Sequence, residues 1–201
     1  MPTAVTEVLT PPIPPDPPRK RWTRAECSTL EELGMFSQQS LELIEGELIS
    51  KMGKKRPHVH TLALLTEWLI HVFGGRFVNQ EAPIDVTPQD NPTNEPQPDA
   101  IVLRGSYSGF LSKTPQPYDI ELVVEVSDTS LIFDLTTKAA LYARAGIPEY
   151  WVLDIQGRRL VVHREPIAGR YSLIVAYGEN EAVAPLAAPQ KLFQVVDVFP
   201  L

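Results

Sequence analysis

The chain has 201 residues, 43% hydrophobic and 21% charged, which is the balance of one ordinary globular domain and excludes a disordered or fibrous chain. A formal charge of −7 argues against a generally basic surface that would hold nucleic acid by counterion release, so any such contact must be local. No apolar run approaches the roughly 20 residues that cross a bilayer, and the N-terminus lacks the charged start and apolar middle of a secretory signal, so the expectation is a cytoplasmic protein without membrane contact.

Seven of the first 20 residues are proline, which rules out a helix or an inner strand there, so residues 1–21 read as an extended tail and 22–201 as a single domain. The lone cysteine, Cys27, excludes an internal disulfide and reads as structural. The stretch STLEELGMF predicts a short helix, with Ser28 as capping residue, Glu31 three positions on and Gly34 as a stop. LELIEGELIS reads as a tight hairpin around Glu45-Gly46. In SKMGKKRPHVH, Lys51, Lys54, Lys55 and Arg56 lie with two histidines just ahead of an apolar-periodic segment. That is a local basic patch at a helix start, and equally a solvated loop.

From His58 to Phe73, Leu62, Leu65, Leu69 and Phe73 recur at helical spacing until Gly74-Gly75, which predicts a long core helix. RFVNQEAPIDV reads as a strand, the Pro/Asn-rich run after it as a loop, and DAIVLRG as a further strand. DIELVVEVS is dense in β-branched residues and reads as an inner strand. LIFDLTTKAALYARAG is a helix closed by Gly146. EYWVLDI and RLVVHRE form a hairpin around Gln156-Gly157, and RYSLIVAY and LFQVVDVF supply the last strands. The resulting class is α/β or α+β with a mixed sheet.

One residue resists a purely structural account. Glu125 sits in the middle of the most apolar strand, and a carboxylate there must be paired, protonated or bound to a cation. If DAIVLRG and DIELVVEVS are neighbours, alternation lets Asp99 and Glu125 face one side of the sheet. Two carboxylates and a strand carbonyl make a hard-oxygen site suited to Mg²⁺ or Mn²⁺ rather than zinc. On the next helix Asp134, Lys138 and Tyr142 share a face at four-residue spacing, and Lys138 would come near Glu125 if that face turns back on the strand. The bland readings are an Asp134–Lys138 surface ion pair, Asp99 as a turn residue, Tyr142 as packing, and a Glu125–Lys138 pair with no metal.

The ordered strings LELIEGELI, PDAIVL, VVEVSDTS and DLTTKAALYARAGIPEYWVLD resemble the Uma family of endonucleases within the PD-(D/E)XK superfamily, over about Leu41 to Val162. The resemblance implies a restriction-endonuclease-like mixed sheet flanked by helices and metal-dependent hydrolysis of DNA phosphodiester bonds. By that resemblance Asp99 and Glu125 are metal ligands, with the Val126 carbonyl as a third, and Lys138 serves the attacking water. It also implies supporting positions at Glu42, His60, Asp134 and Tyr142; the basic run Lys54, Lys55 and Arg56 is, on its charge alone, the candidate contact for DNA. The sequence departs from the superfamily pattern at Ser127, where the motif lysine stands; Lys138 is expected to substitute in space. That departure keeps a rival open, a folded binding or assembly protein without turnover. A homodimer, with the tail packed on a second copy, is compatible with the sequence.

Overall fold

Six strands, in chain order, form the central sheet of the computed structural model, which describes residues 18–36, 39–51 and 55–199. Most of the expected tail and Lys54 lie outside the described residues. The strands are β3 (Val78–Gln80), β4 (Ala100–Leu103), β5 (Ile120–Ser127), β6 (Glu149–Asp154), β7 (Arg159–Ile167) and β8 (Arg170–Gly178). Every neighbouring pair is antiparallel except β5 and β6, whose parallel pairing requires a crossover. That crossover is helical: α3 (Leu131–Phe133), a π-helical turn (Asp134–Lys138) and α4 (Ala139–Ala145).

The middle of the sheet, β4 to β6, is buried on both faces, which is why β5 reads as an almost unbroken apolar run. On one face Val124, Val126, Trp151 and Leu153 pack under Leu62, Leu65 and Leu69 of α2 (Arg56–Phe73). On the other, Ile101, Val123 and Val152 pack under Ala139, Tyr142 and Ala143 of α4. Strand alternation therefore aims Glu125 toward the α3–α4 crossover, on the side of Val123.

The Glu45-Gly46 hairpin forms as the sequence implies, between β1 (Leu41–Ile44) and β2 (Glu47–Ser50). Both turn residues have positive φ, 50° and 75°, as a two-residue type I′ turn requires. Gly46 is also held by close approach, since a Cβ there would come within 3.0 Å of the Arg21 side chain. This hairpin is its own two-stranded sheet beside the six-stranded one.

Four expectations need correction. The first helix, α1 (Arg24–Glu32), begins earlier than the Ser28 reading because Thr23 and Glu26 form the capping box; Gly34 still ends it in a left-handed conformation. The second helix starts at Arg56, with Pro57 in its first turn where no N–H is missed. RFVNQEAPIDV yields only three strand residues, because Gly75–Phe77 coil into a 3₁₀ turn, Glu81 takes positive φ and Pro83 follows. LFQVVDVF likewise reduces to β10 (Phe193–Gln194), paired with β9 (Ala182–Val183), before a 3₁₀ turn at Val195–Val198. Among the described residues, no helix is long and apolar enough to cross a membrane.

Candidate active site

Asp99 precedes β4 by one residue, and the register that pairs Ala100 with Val124 sets Asp99 across from Glu125. Its Oδ2 accepts the Val126 N–H at 2.8 Å and lies 3.3 Å from His58 Nε2. Burial works against the Asp99 charge, yet the His58 hydrogen bond and charge, Lys51 and the Val126 amide together hold its carboxyl well below the usual range.

Lys138 is the centre of the arrangement. Its ammonium lies 2.8 Å from Glu42 Oε1, 2.9 Å from Glu125 Oε1 and 3.9 Å from Asp134 Oδ1. All four side chains are at most 3% exposed, so the Asp134–Lys138 spacing is not a solvated surface pair. Tyr142 is fully buried and donates its hydroxyl to the same Glu125 oxygen at 3.0 Å. Asp134 Oδ2 accepts from the Ser127 hydroxyl at 2.6 Å and the Ser130 hydroxyl at 2.5 Å. Ser127 thus anchors the acid beside Lys138.

The π-helical turn is what fits these groups together. It adds one residue to a turn between Asp134 and Lys138, both of which end up buried, and such turns inside helices concentrate at functional sites. Burial raises the Glu125 carboxyl to about 8, with Asp99, Asp134 and Glu42 adding to the rise and Lys138 opposing it. Burial alone would lower the Lys138 ammonium, but Glu125, Glu42 and Asp134 reverse this and hold it charged far above its ordinary range.

A cavity of about 180 Å³ opens onto this cluster, and Glu42, Asp99, Glu125, Val126, Asp134 and Lys138 all line it. Lys55 stands at its edge, 3.6 Å from Asp128, while Arg56 is exposed and does not line it. His60 is exposed and points elsewhere. Two residues advance a helix by about 200°, so the face that carries Leu62, Leu65 and Leu69 carries His58 and excludes His60. His58 was the residue to take from the sequence, since it precedes those leucines by four, seven and eleven. Its Nδ1 is buried without a hydrogen-bond partner.

Among the described residues, no three histidine, cysteine or carboxylate side chains form a ready cage for a metal ion. The donors nevertheless fit a hard divalent cation. Mg²⁺ commonly takes only one or two carboxylates and keeps its remaining positions for water and phosphate oxygen. Four buried carboxyl groups and a single buried ammonium line the cavity, and a cation bound there would favour the charged form of Glu125, which burial otherwise disfavours.

A family profile, Uma2, described as a putative restriction endonuclease, matches residues 26–196. No curated protein sequence matches the chain. Among solved structures, the crystal structure of a putative nuclease belonging to DUF820 from Anabaena variabilis ATCC 29413 is similar with a TM-score of 0.61. It shares 15% identity over 81% of this chain and 90% of that one, a likeness of fold.

Proposed function

Because this chain belongs to the Uma2 family of putative restriction endonucleases, we propose that it is a divalent-metal-dependent endonuclease that hydrolyses DNA phosphodiester bonds. The observation that carries this reading is the buried Lys138 ammonium, bound to Glu125 and Glu42 within a cavity that also presents Asp99. Residues 22–201 act as one nuclease-like domain in this reading.

Asp99, Glu125 and the Val126 carbonyl would hold Mg²⁺ or Mn²⁺, which supplies Lewis acidity toward water and the phosphoryl oxygens. Lys138, kept charged, is no general base. Two of its three N–H bonds go to Glu42 and Glu125, which leaves one that would donate to the attacking water and stabilise the charge that grows in the transition state. Glu42 and Asp134 fix the ammonium, and Tyr142 fixes the Glu125 rotamer. His58, rather than His60, orients Asp99. Lys51 and Lys55, which line the cavity, would offer positive charge to the DNA backbone, with Lys54 and Arg56 adjoining them in sequence.

A second reading, a nuclease-fold binding or assembly protein without turnover, is favoured by Ser127, whose hydroxyl bonds Asp134 where the motif lysine would stand. Nicking of supercoiled plasmid separates the two. The endonuclease reading expects cleavage with Mn²⁺ or Mg²⁺, its abolition by chelation, and its loss in Asp99→Ala. Cleavage that persists in Asp99→Ala overturns the assignment, and a pure wild-type protein inert with either metal supports the second reading.

A further inference from the structure

β6 opens with Glu149, Tyr150 and Trp151, and the three side chains divide between the two faces of the sheet. Alternation sends Glu149 and Trp151 to the α2 face, where Trp151 Nε1 donates to Glu149 Oε1 at 2.9 Å and the Leu186 N–H donates to Glu149 Oε2 at 2.7 Å. Tyr150 turns the other way, toward the crossover, and is fully buried. Its hydroxyl donates at 3.1 Å to the main-chain carbonyl of Asp134, the first residue of the π-helical turn. Its ring meets that of Tyr142 edge to face, with centroids 4.9 Å apart and planes at 67°. Phenylalanine would fill the same space, so it is the hydroxyl that needs a reason.

The choice of donor at the Asp134 carbonyl defines the register of the turn. In an α-helix that carbonyl accepts the N–H four residues on, which is that of Lys138; here it accepts the Ala139 N–H, five residues on. One residue of register rotates a helix by about 100°, so the wide turn sets the direction in which the Lys138 side chain leaves the helix. The Tyr150 hydroxyl reaches the same carbonyl from β6, the direct neighbour of the strand that carries Glu125, and so ties the wide turn to the sheet. We propose that Tyr150 is a positioning residue, whose hydroxyl holds the π-helical turn in the register that brings the Lys138 ammonium to Glu125 and Glu42. The two packed tyrosines are then complementary: Tyr142 holds the Glu125 carboxyl, and Tyr150 holds the turn that carries the cation facing it. The placing of Lys138 stands apart from the nuclease reading, whereas the consequence for cleavage rests on it.

Tyr150→Phe in the full, metal-free chain tests it against Tyr171→Phe, which removes a comparable buried bond, from the Tyr171 hydroxyl to the Ile147 carbonyl at 3.0 Å, beyond the end of the same helix. Proton exchange of the Lys138 ammonium and of the amides of residues 134–139, read by NMR, should quicken about fivefold in Tyr150→Phe, the equivalent of one net hydrogen bond, and should keep its wild-type rate in Tyr171→Phe. Exchange at 134–139 that matches the wild type overturns the proposal. So does quickening spread equally over β5 and β6, because the hydroxyl then serves the core at large. In plasmid nicking, Tyr150→Phe should lower kcat by about the same fivefold while KM for DNA and the affinity for Mn²⁺ stay unchanged. An unchanged kcat beside a loosened turn overturns the link from the turn to cleavage. A wild type inert with Mg²⁺ and Mn²⁺ ends the nuclease reading, and the exchange rates alone then decide whether Tyr150 places Lys138.

Discussion

Lys138 Nζ sits 2.9 Å from Glu125 Oε1, thirteen positions away in the chain, the ammonium in a helical turn and the carboxyl in the central strand. Both groups are almost wholly buried, so the ammonium depends on Glu125 and Glu42 to offset its lost hydration. Replacing Lys138 by methionine should therefore destabilise the metal-free protein by about 3–5 kcal/mol, since it leaves buried carboxylates without their cation. Denaturant melts of Lys138→Met in EDTA check this. A loss of half a kcal/mol or less would mean that the pair opens to solvent.

Metal binding has its own test in Asp99. Isothermal titration of the wild type should find a single Mn²⁺ site, and Asp99→Asn should weaken it sharply, because the variant keeps the Val126 contact but removes the negative charge. Equal affinity in the two proteins would remove Asp99 as a ligand.

The pH dependence follows from the raised carboxyl of Glu125. In the unfolded chain this group titrates near 4.5, and in the folded chain near 8, so the folded state binds the proton more tightly. The stabilisation is fully present below about 4.5 and is lost as pH rises toward 8; Asp134, also raised by burial, acts in the same sense. Asp99 is shifted the other way, and its contribution is lost only as pH falls through the acid range below its ordinary 3.8. The melting temperature in EDTA should thus fall between pH 5 and 8, and saturating Mg²⁺ should flatten the slope by neutralising the acids. A slope of the opposite sign would place the proton elsewhere.

Ser127→Ala separates anchoring from catalysis. It removes one of two hydroxyl donors to Asp134 while Ser130 remains, so the expected cost is about 1 kcal/mol in thermal or urea unfolding. A loss several times larger would assign Ser127 a wider structural role.

The N-terminal boundary is open to truncation. Trp22 N–H donates to the Gly46 carbonyl at 2.8 Å, and the Arg21 guanidinium binds the Glu45 carbonyl across the hairpin turn. A chain that begins at residue 18 should melt close to the full chain, and one that begins at residue 24 should melt lower. Equal melting of both would mean that these turn contacts contribute nothing.

Periodicity made much of this fold readable. The Glu45-Gly46 hairpin, the strand around Glu125 and the helix end at Gly146 all rest on local chemistry, and all stand where that chemistry puts them. The facing of Asp99 and Glu125 followed from strand alternation once their strands were taken as neighbours. The π-helical turn was hidden, because a four-residue spacing reads as an ordinary helix and nothing in DLTTK announces an extra residue. The Glu42–Lys138 contact was equally hidden. It joins a hairpin outside the main sheet to a helix almost a hundred positions later, and no local pattern encodes such a docking.

The strand order of the main sheet repeats the order of the chain, and this has a kinetic meaning. Each strand can zip onto its immediate predecessor, and every loop closed along the way is short compared with the whole chain, which lowers the entropic barrier. Nucleation can begin in the tightly connected β7–β8 ribbon and spread across β6 and β5 without any distant segment. The acid cluster cannot form this way, because Glu42 arrives from outside the sheet, and until it docks Lys138 has lost water without gaining its second carboxylate. The site therefore closes after its scaffold, and in the native ensemble its hydrogen exchange should open before the strands beneath it.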